Sequence, residues 1–255
     1  MLNSLIQPFL KKNKCFILAY DQGLNKNPDV FKFQSQNPTY IFELAKNIKA
    51  TGIILNKGIA EIYSKSNYKT PLIIKLDSKS ETTQQPILTC SVKYAKKLNA
   101  KAIGYTVHFG SKYESEQLEI FSELAEEAHE LNMAAILWTY IVDDSWNHVQ
   151  NISALSFALR QAYELGADLV KIPTIENISD IQKLNTLVPN LPIAIRGGDI
   201  MENNAFLEWT KKTIDNGASG LIVGRNIWQK ENPTEIGNKI HSIVFKKIKE
   251  LNNAF

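Results

Sequence analysis

Cysteine is nearly absent from this chain of 255 residues, which holds only Cys15 and Cys90. Two thiols without a Cys-x-x-Cys spacing cannot form a disulfide framework, and such scarcity is typical of proteins from a reducing compartment. Long hydrophobic runs are missing as well, since no apolar stretch approaches the roughly 18 residues that a membrane-spanning helix needs. Residues 1–13 place their lysines after their apolar residues, which is the reverse of a secretory signal. We therefore expect a cytoplasmic protein with no membrane partner and a short leading helix at the N-terminus.

A strong charge of one sign is also lacking, because 29 Lys and Arg residues face 26 Asp and Glu residues, for a formal net charge of +3. This balance is too weak to predict a nucleic-acid partner, although local positive charge can still bind an anionic small molecule. The histidines at positions 108, 129, 148 and 241 are scattered without the spacing of a metal site. We assign them no role and expect no metal ion.

What the chain does contain is a repeated alternation of short apolar runs and longer segments with helical spacing. The eight apolar runs are residues 15–20, 52–55, 71–76, 102–106, 134–139, 168–173, 191–196 and 219–224. Their mostly continuous apolar character is typical of parallel strands that are buried on both faces. Parallel strands need crossover helices, and eight such units close naturally into a barrel. We predict an α/β fold, a single (β/α)8 TIM barrel over residues 1–255, with an open doubly wound sheet as the alternative.

Helix boundaries support this alternation. Asn37, which a proline follows, and Asn151 or Ser153 are typical of helix starts, and Gly166 and Gly217 are typical of helix ends. The predicted helices include residues 113–131, 152–165 and 178–187 and a C-terminal helix at about 234–251. The apolar stripe of that last helix is expected to pack on the barrel or against a neighbouring copy.

Polar residues follow the predicted strands at their carboxyl ends, where barrels of this type carry their active sites. Together with a tryptophan and the glycines of two turns, the candidate site residues are Asp21, Lys75, Trp138, Tyr140, Lys171, Arg196, Gly197, Gly198, Gly224 and Arg225. Lys171 interrupts an apolar strand whose neighbouring residues alternate to the other side, so it should point into the barrel mouth. Partial loss of water lowers the pKa of such a lysine and gives a neutral amine that can attack a carbonyl. The alternative is a structural lysine paired with Asp21 or another acid.

The other residues at the strand ends have both functional and structural interpretations. Lys75 is a second cation that lowers the pKa of Lys171, a substrate ligand or the end of a solvated strand. Tyr140 can move protons to and from a substrate hydroxyl, or it is a buried tyrosine with a satisfied hydroxyl. Trp138 shares its side of the strand and can form a wall of the pocket. Asp21 either assists proton transfer or caps a turn.

The glycines after the seventh and eighth predicted strands indicate a phosphate site. Loops at these two places often bind phosphate in barrels, because glycine lets backbone N–H groups approach the anion. Arg196 and Arg225 can add positive charge there. The alternative is that the glycines serve tight turns only.

Seven segments together resemble the archaeal-type class I fructose-bisphosphate aldolases, in order and over about residues 15–230. They are AYDQG at 19–23, PLIIKL at 71–76, IGYTV at 103–107 with Gly110-Ser111, WTY at 138–140, GADLVKIP at 166–173, Gly197-Gly198 and GASGLIVGRNIWQ at 217–229. The resemblance implies a metal-independent barrel without a cofactor, with Lys171 as the Schiff-base lysine, Tyr140 as the catalytic tyrosine and Asp21 as the catalytic aspartate. It also implies that the two glycine turns hold a substrate phosphate and that the protein forms a homo-oligomer.

The resemblance has two departures, both near the predicted substrate. The family often continues its first-strand aspartate with Gly-x-Glu-His-Gly, whereas this chain reads Gly23-Leu-Asn-Lys-Asn27, and Arg196 stands where a small residue is usual. The resemblance implies reversible cleavage of fructose 1,6-bisphosphate, and the two departures leave the lysine chemistry intact but the exact sugar phosphate open. A sister activity remains an alternative, either a transaldolase-like synthase for aromatic amino-acid precursors or an aldolase or thiolase on another phosphorylated ketone. The alternative outside the enzymes is a non-catalytic sugar-phosphate-binding barrel.

Overall fold

Eight parallel strands close into a barrel in the computed structural model, which describes residues 4–24, 28–79, 86–143 and 145–245. The barrel strands are β1 (Cys15–Tyr20), β2 (Gly52–Leu55), β3 (Leu72–Lys75), β6 (Ala102–Phe109), β7 (Ala134–Ile141), β8 (Leu169–Ile172), β9 (Ile193–Arg196) and β10 (Gly220–Val223). They follow one another around the barrel in sequence order, and β10 pairs back to β1. The predicted (β/α)8 barrel is confirmed, and the open doubly wound sheet is wrong.

Helices alternate with the strands and cover the outside of the barrel. They are α1 (Pro38–Asn47), α2 (Lys57–Ser64), α3 (Val92–Lys97), α4 (Glu114–Glu130), α5 (Ile152–Glu164), α6 (Asp180–Leu187), α7 (Asn203–Asp215), α8 (Arg225–Trp228) and α9 (Pro233–Phe245). Asn37 and Asn151 cap α1 and α5 through their side chains, as predicted. Gly166 and Gly217 follow α5 and α7 with φ of +83° and +97°, a left-handed conformation that suits glycine.

Strands β6 and β7 extend beyond their predicted ends, to Phe109 and Ile141. The two strands pair along their whole length, which stabilises the additional residues. Polar side chains near both ends interrupt the apolar pattern on which the sequence prediction depends. As a result, His108 and Tyr140 stand side by side in the wall of the barrel mouth.

A small antiparallel hairpin beside the barrel is absent from the sequence prediction. It consists of β4 (Asp77–Lys79) and β5 (Pro86–Leu88) and follows β3 directly. Three-residue strands are too short to show an alternating pattern. The hairpin matters because it brings Asp77 and Lys79 to the cavity at the barrel mouth.

Both ends of the described chain pack on the barrel. The leading helix is a 3-10 helix, Ser4–Phe9, whose buried Ile6 and Phe9 join the residues that fill the barrel interior. In α9 the apolar stripe, including Ile236 and Ile240, is buried against its own chain, and the predicted continuation to residue 251 lies outside the described residues. Among the helices described, none is both long and apolar enough to span a membrane.

Alternating strand side chains form one core inside the barrel and another between the barrel and its helices. Val170 and Ile172 of β8 belong to the outer core, whereas Lys171 between them lines the cavity at the mouth. Trp138 of β7 is fully buried in the inner core, and its ring lies 5.3 Å from the Lys171 Nζ. A Cβ atom added to Gly104 of β6 would lie only 1.4 Å from that ring, so the glycine makes room for Trp138.

We expect Gly104→Ala to lower the free energy of unfolding by about 1–3 kcal/mol, because the extra methyl group forces the indole out of its place. Urea unfolding monitored by far-UV circular dichroism measures this change. Gly58→Ala in α2 is the matched control, since no atom lies within 4 Å of the added Cβ and alanine favours a helix. Equal unfolding free energies for Gly104→Ala and the unmodified protein would contradict this description of the inner core.

Candidate active site

The carboxyl ends of the barrel strands open into a cavity of about 720 Å³. Every residue that the sequence predicts for the site lines this cavity except Trp138, which lies beneath it in the inner core. Their convergence follows from the closed parallel sheet, because all eight strands point their carboxyl ends to the same face. A second pocket of about 640 Å³ lies near Ala50 and Pro71, where β2 and β3 begin, and it contains none of the predicted site residues.

Lys171 enters the cavity from β8 and is 8% exposed. Burial lowers the pKa of Lys171 most strongly, and the positive charges of Lys75 and Arg196 act in the same direction. Tyr140 and Asp21 oppose these effects without cancelling them. A lowered pKa increases the fraction of neutral amine near neutral pH, and the neutral amine is the form that can attack a carbonyl.

Lys75 on β3 has the opposite electrostatic setting, although it is equally buried. Burial disfavours its charge, but the carboxylates of Asp77 and Asp21 outweigh that cost and raise the pKa of Lys75. The Lys75 Nζ lies 4.0 Å from Asp21 Oδ2, so the described ion pair of Asp21 is with Lys75. Lys75 is thus the ion-pair partner of Asp21, and the Asp21 carboxylate acts on Lys171 through its charge as well.

Asp77 is a member of the site that the sequence analysis missed. Its side chain is 3% exposed, accepts a hydrogen bond from the Thr106 backbone N–H at 3.0 Å and lines the cavity beside Lys75. Burial raises the pKa of Asp77, against the opposing charge of Lys75. Asp77 lies two residues after Lys75, and this spacing was the one sign in the sequence that both side chains point to the same side. The sign was overlooked because β4 is only three residues long and shows no alternating pattern.

Tyr140 lies one strand away from Lys171, on β7. Burial disfavours its phenolate, but the positive charges of Lys171, Arg196 and Lys75 outweigh that effect and lower the pKa of Tyr140. The Arg196 guanidinium lies over the phenol ring, 5.0 Å from its centre. A lowered pKa increases the fraction of Tyr140 that is phenolate near neutral pH, and the phenolate is the form that can accept a proton from a substrate hydroxyl.

Two histidines flank the Tyr140 ring, although the sequence analysis gave them no role. The ring of His108 stacks on Tyr140 with centroids 5.5 Å apart, and the ring of His148 lies 5.0 Å away. Both histidines line the cavity. His108 was missed because the predicted strand ended at residue 106, two positions before it.

The glycine turns after β9 and β10 lie against each other at the mouth. The Asn226 side chain joins them, because its Nδ2 donates to the carbonyl oxygens of Gly197 at 2.8 Å and Asp199 at 2.7 Å. Arg225 Nη2 also reaches the Gly198 carbonyl oxygen, at 3.4 Å. Gly198 has φ of +66°, and a Cβ at Gly224 would lie 2.5 Å from the Ala19 carbonyl oxygen, so both positions need glycine.

Positive charge at these turns is suited to an anionic group. Arg196 ends β9, and its Nε is buried without a hydrogen-bond partner among the described residues. Arg225 lies 3.8 Å from the exposed carboxylate of Asp199. Arg196 and Arg225 both line the cavity, and a guanidinium group suits a phosphate because it can donate two parallel hydrogen bonds.

One predicted feature of the site, the departure at Asn25, Lys26 and Asn27, lies outside the described residues. Within the described part of the chain, no group of three or more His, Cys, Asp or Glu side chains is arranged to hold a metal ion.

Comparisons with known proteins agree with this geometry. A model of the DeoC/LacD family aldolases matches residues 15–230. The class 1 fructose-bisphosphate aldolase of Halobacterium salinarum is 30% identical over 246 residues, which cover 94% of both chains. The 2-amino-3,7-dideoxy-D-threo-hept-6-ulosonate synthase 1 of Archaeoglobus fulgidus is 27% identical over 92% of this chain and 87% of its own.

Solved structures of aldolases are also similar to this chain over nearly its whole length. One is an archaeal fructose-1,6-bisphosphate aldolase whose catalytic lysine is covalently bound to the carbinolamine intermediate of the substrate. It superimposes with a TM-score of 0.88 at 27% identity and covers 95% of this chain and 98% of its own. The resemblance to archaeal class I fructose-bisphosphate aldolases is thus confirmed, and this chain belongs to the DeoC/LacD family of aldolases, which are lyases.

Proposed function

We propose that this protein is a Schiff-base aldolase that reversibly cleaves fructose 1,6-bisphosphate to dihydroxyacetone phosphate and glyceraldehyde 3-phosphate. The observation that carries the proposal is the buried Lys171 amine, whose pKa is lowered and which lies between a tyrosine and two glycine turns rich in positive charge. The Halobacterium relative and the archaeal structure with its covalently bound lysine support both the substrate and the covalent mechanism.

The order of the strands supports a path for the substrate along the barrel mouth. The glycine turns follow β9 and β10, Lys171 is on β8, Tyr140 is on β7, and these strands are consecutive neighbours. The turns would hold the phosphate next to the ketone, which fixes the carbonyl carbon against the Lys171 amine. The C4 hydroxyl then reaches Tyr140, one strand further along the barrel.

The reaction begins when the neutral Lys171 amine attacks the ketone and forms a carbinolamine, which loses water to give an iminium ion. Tyr140 removes the proton of the C4 hydroxyl, and the C3–C4 bond breaks. The bonding electrons move to the iminium, which becomes an enamine, and glyceraldehyde 3-phosphate leaves. Protonation of the enamine and hydrolysis release dihydroxyacetone phosphate. Asp21 assists the proton transfers while the carbinolamine forms and breaks down.

Lys75 supports this chemistry without attacking the substrate. The carboxylates of Asp77 and Asp21 keep it charged, and its charge lowers the pKa of Lys171. This division assigns the nucleophile to Lys171, because a protonated lysine has no lone pair with which to attack a carbonyl.

A sister activity on another phosphorylated ketone is the second candidate. The Archaeoglobus synthase matches nearly the whole chain, and Arg196 adds a guanidinium beside Tyr140 where the family usually has a small residue. We also propose that the chain is one aldolase domain and that it forms a homo-oligomer, as the resemblance implies.

Borohydride added together with dihydroxyacetone phosphate should reduce the iminium and leave a stable adduct on the peptide that contains Lys171. Lys171→Met should abolish the adduct and the cleavage of fructose 1,6-bisphosphate. The matched control is Lys183→Met, because Lys183 is exposed on α6 away from the cavity. Peptide mass spectrometry locates the adduct. Parallel cleavage assays with other ketose phosphates distinguish the two candidate functions. An adduct on Lys75 alone would identify a different nucleophile.

Tyr140→Phe should lower kcat for cleavage about 10²- to 10⁴-fold, because the C4 hydroxyl loses its proton acceptor. Trapping with dihydroxyacetone phosphate should persist, since that step needs the Lys171 amine and no C4 hydroxyl. Steady-state kinetics and the borohydride assay on the same preparation provide the comparison. If cleavage in this variant stays within a few-fold of that in the unmodified protein, Tyr140 is not the base.

A further inference from the structure

His108 is held in one tautomer by its neighbour Gln117. The Gln117 side chain on α4 is 1% exposed, and its Oε1 accepts a hydrogen bond from the His108 backbone N–H at 3.0 Å. Its Nε2 donates to the Thr106 carbonyl oxygen at 3.0 Å and lies 3.2 Å from His108 Nδ1. The two backbone partners fix which end of the amide is the donor, so Nδ1 must accept. The ring proton of His108 therefore lies on Nε2.

The imidazole is also held in its neutral form. Burial lowers the pKa of His108 to about 3, with further contributions from the charges of Lys79 and Lys75. A neutral ring with Nδ1 occupied offers one hydrogen-bonding group to the cavity, and that group is an Nε2–H donor.

Stacking fixes the direction of this donor. The Tyr140 ring lies nearly parallel to the imidazole, at 20°, and the Trp146 ring packs against it with centroids 5.0 Å apart. The ring cannot turn without losing these contacts and the Gln117 hydrogen bond. The site thus contains a preorganised neutral donor, which no step of the mechanism above uses.

The position of His108 indicates which part of the substrate it meets. It pairs with Tyr140 across β6 and β7, on the side of Tyr140 opposite to β8 and Lys171. The proposed path runs from the phosphate turns past Lys171 to Tyr140, so β6 meets the part of the ketose beyond C4, where one carbon carries a free hydroxyl. That carbon is C5 of the ketose, which becomes C2 of the released aldehyde.

We propose that His108 is a specificity-determining residue that donates a hydrogen bond from Nε2 to the hydroxyl on C2 of the aldehyde half. This inference rests on the proposed aldolase function and adds a selection for aldehydes that carry a 2-hydroxyl. A buried donor without a partner disfavours an analogue that lacks the hydroxyl, so the site discriminates against it.

The test runs the reaction in the direction of aldol addition, with dihydroxyacetone phosphate and one of two aldehydes. Glyceraldehyde 3-phosphate carries the 2-hydroxyl, and 3-phosphooxypropanal lacks it. The unmodified protein should prefer the first by about 10- to 100-fold in kcat/KM. His108→Phe keeps an aromatic ring against Tyr140 and removes the donor. It should lower kcat/KM for glyceraldehyde 3-phosphate about 10- to 100-fold and change the value for 3-phosphooxypropanal by less than about threefold.

Two further variants control for a purely structural effect. His108→Gln places an amide N–H near the position of Nε2 and should recover a large part of the preference, whereas His241→Phe on α9 should retain all of it. His108→Asn replaces His108→Phe if the latter does not fold, because its amide can still meet Gln117 but does not reach the Nε2 position. An equal loss for both aldehydes, or an unmodified protein that couples both equally well, would overturn the proposal.

Borohydride trapping separates this proposal from the one on which it rests. Dihydroxyacetone phosphate does not extend to β6, so His108→Phe should trap it as well as the unmodified protein does. If the unmodified protein traps no dihydroxyacetone phosphate, the aldolase function fails and the specificity proposal fails with it. If trapping is normal but the aldehyde preference does not depend on His108, only the specificity proposal is wrong.

Discussion

The proposed chemistry of this barrel depends on a difference in charge between two buried lysines. Lys75 and Lys171 are both less than a tenth exposed, and both face the same cavity. Two carboxylates stabilise the charge of Lys75, whereas Lys171 has two cations and an indole ring around its amine. Burial disfavours the charge on both amines and Asp21 favours it on both, so Asp77 beside Lys75 and Arg196 near Lys171 distinguish the two lysines.

The closed sheet explains how these groups come together. Parallel strands bring their carboxyl ends to one face, and the twofold alternation of each strand turns Lys171, Tyr140 and His108 inward on three neighbouring strands. The inner core supports them from below, where Trp138 fills the space over Gly104. Asn226 fixes the two glycine turns to each other on the other side of the cavity. The proposed nucleophile, base and anion site therefore depend on one rigid framework, and the proposed donor His108 lies next to them on β6.

The strand pattern made the barrel and most of the cavity predictable from sequence. A lysine inside an apolar strand is a strong local signal, because its two neighbours fix the direction in which it points, and Lys171 was found in this way. Asp77 and His108 were missed for different reasons, since Asp77 is on a three-residue strand and His108 lies two residues beyond the predicted end of its strand at residue 106. The preference of Asp21 for Lys75 and the tautomer of His108 depend on distances across strands, which no local pattern encodes. Asn226 acts through backbone carbonyl oxygens of another turn, so its role too is visible only in three dimensions.

The most direct test of the charge difference is a pH titration of the lysine side chains by NMR, with ¹³C at Cε and with Lys171→Met and Lys75→Met used to assign the two signals. The account predicts that the Lys171 signal titrates below the ordinary lysine value of about 10.4, whereas the Lys75 signal titrates above it. A Lys171 signal that titrates at or above the ordinary value would contradict it, because the amine would then be charged when the ketone arrives.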